Sequence, residues 1–156
     1  GITIILLNEK MDEGPILAIL NLKSQISKLT YKELENELAE LGGKLLIETI
    51  PKWINGEIKP RPQDHSKATC TKKITKEDGL INWNEPAEII ERKIRAFTPW
   101  PGTYTFINGR RLIITKAELD KKSNLKIKRV KPEGKNEMDF ADFLRGNPDK
   151  ILEKYL

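Results

Sequence analysis

An aspartate in a tight turn is the first residue of this 156-residue chain that could take part in chemistry. Asp12 follows the apolar run of residues 2–7 and precedes Gly14 and Pro15, a pair that favours a turn. Open α/β sheets carry functional groups at the carboxyl ends of their strands, where this carboxylate could do acid–base work. The alternative is an aspartate that accepts hydrogen bonds from its own turn, and the pattern alone favours that alternative.

The other residues with reactive side chains are isolated in the sequence. His65 is the only histidine and lies in a polar, proline-rich stretch with no cysteine nearby, so it predicts no metal site. Nothing around it supports a Ser-His-Asp arrangement, and we expect His65 to be structural or exposed to solvent. The single Cys70 excludes an internal disulfide and indicates a reducing, cytoplasmic environment.

Basic residues are concentrated in the second half of the chain. Residues 1–71 carry nine basic and ten acidic residues, whereas residues 72–156 carry 19 basic and 13 acidic residues. The distribution indicates a polyanionic partner for the second half, with a solvated lysine-rich surface as the alternative. Nearby aromatic residues could stack nucleic-acid bases, although for Tyr104 and Phe106 we favour a place in the core. The basic residues of the segment are Arg110, Arg111, Lys116, Lys121, Lys122, Lys126, Lys128, Arg129 and Lys131.

The first half is predicted to contain two strands, at residues 2–7 and 16–22, and one long helix. Thr30 and Glu33 have the spacing of a capping box, and leucines at 34, 38, 41 and 45 form one apolar stripe towards residue 54. Gly42 and Gly43 weaken this helix, which predicts a close neighbour at both positions. Residues 59–66 read as an extended linker.

The second half is predicted to contain a short helix followed by strands. Asn84 is the expected N-cap, with Pro86 in the first turn, and residues 98–102 end the helix. Asn108-Gly109 predicts a hairpin between residues 103–107 and 110–117. A further strand at 126–130 is expected to place residues 125, 127 and 129 on one face, with residues 126, 128 and 130 on the other. A last helix is expected from Asn147-Pro148 to Tyr155.

Composition restricts the class of protein. No run of about 18 apolar residues is present, which excludes a membrane-spanning helix. The opening residues lack the basic region and the cleavage site of a secretory signal. They are predicted to form a strand instead.

Six stretches, taken in order, resemble the family of folate-dependent methionyl-tRNA formyltransferases. Residues 1–4 with 11–17 resemble the strand, turn and strand that close the family's active site, and residues 95–104 are the most specific match. The remaining stretches are residues 40–46, 60–64, 73–83 and 142–146.

The resemblance implies formyl transfer from 10-formyltetrahydrofolate to the amino group of initiator methionyl-tRNA, without a metal. An Asn, a His and an Asp carry out the family's chemistry, and Asp12 matches that Asp, with Asp12 and Gly14 expected at the cofactor. The family's Asn-x-His pair belongs before Gly1. We therefore expect this chain to be an incomplete part of the enzyme that is inactive by itself and needs the N-terminal part.

The implied fold is an α/β fragment, the C-terminal end of a Rossmann-like formyltransferase domain, followed by a small OB-like β-barrel. The expected divisions are a catalytic remnant at residues 1–56, a linker at 57–71 and a tRNA-binding domain at 72–156. The tRNA contacts expected in this domain are Arg95, Arg110, Arg111, Lys126, Lys128 and Arg129.

Two other functions stay open. Residues 120–124 are short where fuller family members carry another hairpin, so the barrel is expected to be incomplete. An enzyme that formylates an amino-sugar nucleotide would fit that departure. The excess of basic residues in residues 72–156 favours the other alternative, a non-catalytic RNA-binding remnant. The oligomeric state is left open.

Overall fold

The chain divides into two units, Gly1–Lys72 and Lys73–Leu156. The computed structural model describes residues 1–22, 28–146 and 152. The predicted last helix, from Asn147 to Tyr155, lies outside the described residues except for Leu152.

The first unit contains two antiparallel strands and one long helix. β1 (Ile2–Ile5) pairs with β2 (Ile16–Leu20), and both strands end earlier than the sequence predicts. Arg61 pairs with Ile16 through two backbone hydrogen bonds of 2.8 and 2.9 Å. The predicted linker is therefore attached to the edge of β2, because the unpaired backbone groups of an edge strand need partners.

Helix α1 (Tyr31–Ile54) begins at the predicted capping box. The Thr30 amide donates to the Glu33 carboxylate at 2.8 Å, and the Thr30 hydroxyl oxygen accepts from the Glu33 amide. The Thr30 backbone amide, and after it the Thr30 hydroxyl, lower the pKa of Glu33 by donating hydrogen bonds to its carboxylate. A Cβ at Gly42 would lie 3.6 Å from the Ile2 side chain, whereas Gly43 has no such neighbour within 4 Å. The predicted close neighbour is thus confirmed for Gly42 and wrong for Gly43.

The first unit leaves much apolar surface uncovered among its described residues. Only Gly14 and Thr49 are buried there. Ile47 and Ile54 of α1 are 73% and 75% exposed, and Ile50 lies between them. Because residues three to four apart share one side of a helix, these isoleucines form a continuous apolar face.

The second unit is a four-stranded antiparallel sheet covered on one face by two helices. The strands follow in chain order as β3 (Thr103–Ile107), β4 (Arg110–Leu119), β5 (Leu125–Pro132) and β6 (Met138–Asp139). Helices α2 (Ala87–Phe97) and α3 (Phe140–Gly146) pack on the sheet. The buried core includes Ile90, Ile94, Leu112, Ile114, Ile127, Val130 and Phe140.

The sheet is open, so the expected OB-like barrel is not confirmed. The chain turns from β4 into β5 within five residues, and Asp120 closes this turn by accepting hydrogen bonds from the amides of Lys122 and Asn124. β6 has only two residues. The short turn and the short last strand leave β3 and β6 unpaired with each other among the described residues.

Two local predictions for the second unit are corrected. Helix α2 is capped by Pro86, whose carbonyl accepts from Ile89 and Ile90, while the Asn84 amide donates to the Asn82 side chain. The predicted N-cap at Asn84 is wrong, because the backbone turns at Asn82 before the helix begins.

The faces predicted for β5 are also wrong, at residues 129 and 130. Register shifts beside Lys116 change the alternation, so that Val130 is fully buried and Arg129 lies opposite Lys116. The predicted hairpin is confirmed, since Asn108 and Gly109 both have positive φ, at 51° and 75°.

Candidate functional site

The loop between β1 and β2 carries Asp12. Its neck is closed by a hydrogen bond of 2.9 Å from the Leu6 amide to the Pro15 carbonyl. Gly14 is buried beside this neck, where an added Cβ would lie 1.6 Å from the Leu6 carbonyl oxygen. Only glycine fits at that position, so Gly14 sets the path of the loop.

Gln63 holds the same loop from the other side. Its side-chain amide nitrogen donates to the carbonyl oxygens of Asp12 and Gly14, both at 2.7 Å. An amide NH₂ has two donor hydrogens, which match two carbonyls that a turn leaves without partners. Gln63 is predicted from the sequence only as part of the linker, with no role at this loop. The signal that could have indicated such a role is its position within residues 60–64, one of the stretches that resemble the family.

Asp12 has a positive φ of 57°, and its side chain is exposed. Its carboxylate forms no hydrogen bond or ion pair with any residue that the structure describes. The adjacent Glu13 pairs with Lys10 at 3.3 Å. The turn-capping alternative for Asp12 is therefore not found, and its carboxylate projects from a backbone that Gln63 fixes.

A single carboxylate limits what this loop can do by itself. It can accept a proton or orient a protonated imidazole, whereas an oxyanion needs hydrogen-bond donors. Across residues 1–22, 28–146 and 152, no cluster of three His, Cys, Asp or Glu could hold a metal ion. His65 and Cys70 are exposed, and Asp64 caps the short turn that contains His65.

Three cations predicted to contact tRNA are paired with carboxylates of their own unit. Arg95 makes a two-pronged pair with Glu91 at 2.6 and 3.1 Å, and its side chain is 17% exposed. Lys128 pairs with Glu118 at 2.8 Å. These contacts reduce the charge that either cation can offer to a phosphate.

Arg129 is held between two carboxylates, Glu137 at 3.3 Å and Asp139 at 3.1 Å. The Thr115 hydroxyl and the Arg129 guanidinium lower the pKa of Glu137. Lys126 is half-buried beside a cavity of about 310 Å³.

The remaining two predicted cations lie together at the β3–β4 hairpin. Arg110 and Arg111 are exposed and form no ion pair with a described residue. The Arg111 guanidinium lies 5.8 Å from the centre of the Tyr104 ring. Both arginines, with Lys135, line a cavity of about 360 Å³ at this end of the sheet.

The aromatic side chains of β3 face away from the core. Thr103 and Thr105 are buried, so alternation along the strand directs Tyr104 and Phe106 to the outer face. Tyr104 is half-buried, and Phe106 is 56% exposed. The predicted core position is therefore wrong for Phe106, and Tyr104 also lies outside the buried core.

Within the described part of the chain, no helix is long and apolar enough to cross a membrane.

The second unit matches a known family. Residues 73–126 correspond to the family described as formyl transferase, C-terminal domain. The methionyl-tRNA formyltransferase of Chloroflexus aurantiacus is 50% identical over 119 residues, covering 75% of this chain and 37% of that protein. That of Roseiflexus castenholzii is 36% identical over 169 residues, covering 94% of this chain and 54% of that protein. The predicted family resemblance is confirmed, and the chain spans between about a third and about half of these relatives.

Two solved structures share the fold. The methionyl-tRNA formyltransferase from Clostridium thermocellum has a TM-score of 0.59 at 18% identity, covering 83% of this chain and 54% of its own. HypX from Aquifex aeolicus in complex with tetrahydrofolic acid has a TM-score of 0.63 at 17% identity, covering 97% of this chain and 30% of its own. At these identities the likeness concerns the fold.

Replacing Gln63 with Glu should loosen the Asp12 loop, because a carboxylate cannot donate to the two carbonyls that the amide now binds. Hydrogen exchange of the Leu6 amide should become at least about tenfold faster, as expected for a decrease of about 1.4 kcal/mol in the free energy of local opening. The matched control is Asn55→Asp, since the Asn55 side chain bonds only to Glu57 in the described structure. Equal exchange rates of the Leu6 amide in the Gln63→Glu variant and in the unsubstituted chain would contradict the role of Gln63 in holding the loop.

Proposed function

We propose that this chain, whose residues 73–126 belong to the formyl transferase C-terminal domain family, is the C-terminal part of a methionyl-tRNA formyltransferase. The complete enzyme transfers the formyl group of 10-formyltetrahydrofolate to the amino group of initiator methionyl-tRNA. The observation that carries the proposal is the exposed Asp12 carboxylate on a clamped loop, in a chain related to formyltransferases over 94% of its length.

The reaction needs a carboxylate of this kind. Attack of the amine on the formyl carbon produces an oxyanion, and a proton must pass from the amine to the departing folate nitrogen. Asp12 would orient an imidazole of the remaining active site and stabilise its protonated form. An exposed carboxylate that has no partner among the described residues is suited to that role, because its hydrogen-bonding capacity is not used by the turn.

The apolar face of α1 supports a catalytic domain that extends beyond the described residues. Ile47, Ile50 and Ile54 together expose a surface that water disfavours by about 25 cal/mol per Å². The relatives are about two to three times as long as the segments that match this chain. We therefore assign this face to contact with the part of the catalytic domain that supplies the Asn and His. This chain without that part is expected to be inactive.

The second unit would hold the RNA acceptor through its hairpin end. Among the residues that the structure describes, Arg110 and Arg111 pair with no carboxylate, whereas Arg95, Lys128 and Arg129 do. Phosphates attract such unpaired guanidinium groups and release bound counterions, which makes binding salt-dependent.

The first test is Asp12→Asn in the complete protein that contains this chain. The amide cannot take up a proton or stabilise an imidazolium, so the turnover of formyl transfer to methionyl-tRNA should fall by about 10²–10⁴. Steady-state rates at saturating 10-formyltetrahydrofolate measure the effect. Offering an amino-sugar nucleotide to the unsubstituted protein separates the two acceptor classes.

The matched control is Glu13→Gln, which removes the neighbouring carboxylate of the same loop and its pairing with Lys10. This variant should stay within about threefold of the unsubstituted rate, since surface ion pairs contribute little. If Asp12→Asn also stayed within a few-fold, the role assigned to Asp12 would be wrong.

The second test concerns the salt dependence of tRNA binding. Replacing Arg110 and Arg111 with Gln should lower the slope of log affinity against log salt by about 0.7–0.9 for each phosphate that is no longer neutralised. Lys128→Gln is the control and should change the slope much less, because Glu118 already pairs with that ammonium. Equal changes of the slope in the Arg110/Arg111 variant and in the Lys128 variant would contradict RNA binding at the hairpin end.

A further inference from the structure

The outer face of strands β3 and β4 carries an aromatic pair next to a guanidinium. In the antiparallel register Tyr104 lies opposite Ile113, and Phe106 lies opposite Arg111. The Tyr104 and Phe106 rings meet edge to face, with centres 5.7 Å apart and an interplanar angle of 90°. The guanidinium of Arg111 lies 5.8 Å from the Tyr104 ring centre.

The exposure of Phe106 is unusual within this sheet. On the opposite face Leu112 and Ile114 are 2% and 0% exposed, whereas Phe106 is 56% exposed. Edge-to-face contact with Tyr104 covers only part of an aromatic ring and holds its plane in one orientation. Phe106 therefore presents a fixed π surface to solvent.

The charge around this pair identifies the class of ligand. Arg111 adjoins the rings, and Lys131 lies opposite Ile113 on the next strand, on the same outer face of the sheet. The nearby Glu133 carboxylate accepts a hydrogen bond from the Arg111 backbone amide at 3.0 Å. Flat apolar groups joined to negative charges are the chemistry of unpaired nucleotides, whose bases stack on aromatic rings while cations contact the phosphates.

We propose that Tyr104, Phe106 and Arg111 form a stacking platform for an unpaired segment of RNA, with Lys131 contacting a flanking phosphate. The inference rests on the proposed RNA-binding role of the second unit and adds that the unit holds single-stranded nucleotides. A duplex keeps its bases stacked on each other and offers no free base face to Phe106.

The test uses the whole 156-residue chain and a 12-nucleotide oligouridylate that contains one 5-iodouridine. Phe106→Leu keeps an apolar side chain but removes the ring, and should weaken binding by at least about fivefold. Its salt slope should stay unchanged, because the substitution removes no charge. Tyr31→Leu is the control, since Tyr31 is a similarly exposed aromatic residue in the first unit. Matching thermal midpoints would show that both variants are folded.

Photo-crosslinking locates the bound nucleotide. The inference expects crosslinks in the peptide that spans residues 103–111, and crosslinks confined to other peptides would overturn it. Unchanged affinity in Phe106→Leu, or equal weakening for an oligoglutamate peptide, would also overturn it. If the chain binds methionyl-tRNA but not the oligouridylate, the platform is wrong and the proposed function stands. Absence of both kinds of binding would remove the RNA-binding role itself.

Discussion

Two carbonyl oxygens in the β1–β2 loop accept hydrogen bonds from one side-chain amide that lies about fifty residues further along the chain. Turn carbonyls need donors, and Gln63 supplies both with one NH₂ group. Arg61 anchors the same segment to β2, so the geometry of the loop depends on the pairing of residues that follow the long helix. The position of the Asp12 carboxylate is a consequence of this long-range contact.

The second unit distributes its charge by the same kind of pairing. Nearby carboxylates form ion pairs with Arg95, Lys128 and Arg129, and these contacts stabilise the helix and the sheet locally. Among the described residues, Arg110 and Arg111 pair with no carboxylate, and the antiparallel register places Arg111 beside Tyr104 and Phe106 of β3. The net positive charge of this half of the sequence is thus less informative than the positions of its acidic residues.

Patterns with a local physical cause were predictable from the sequence. The Thr30–Glu33 box and the Asn108-Gly109 turn each depend on neighbouring residues, and both occur where they were expected. Features that depend on distant residues were missed. Neither the clamp by Gln63 nor the register shift that buries Val130 has a local signal, because each is decided by pairing across the fold. Phe106 was misplaced for a related reason, since threonines occupy the inward positions of β3.

We propose that this chain supplies one carboxylate to a formyl-transfer site that other residues of the same enzyme complete. Formation of formyl-methionyl-tRNA from 10-formyltetrahydrofolate tests it most directly, measured for the 156-residue chain and for the complete protein that contains it. We expect no turnover by the chain alone and turnover by the complete protein. Turnover by the chain alone, or none by the complete protein, would contradict it.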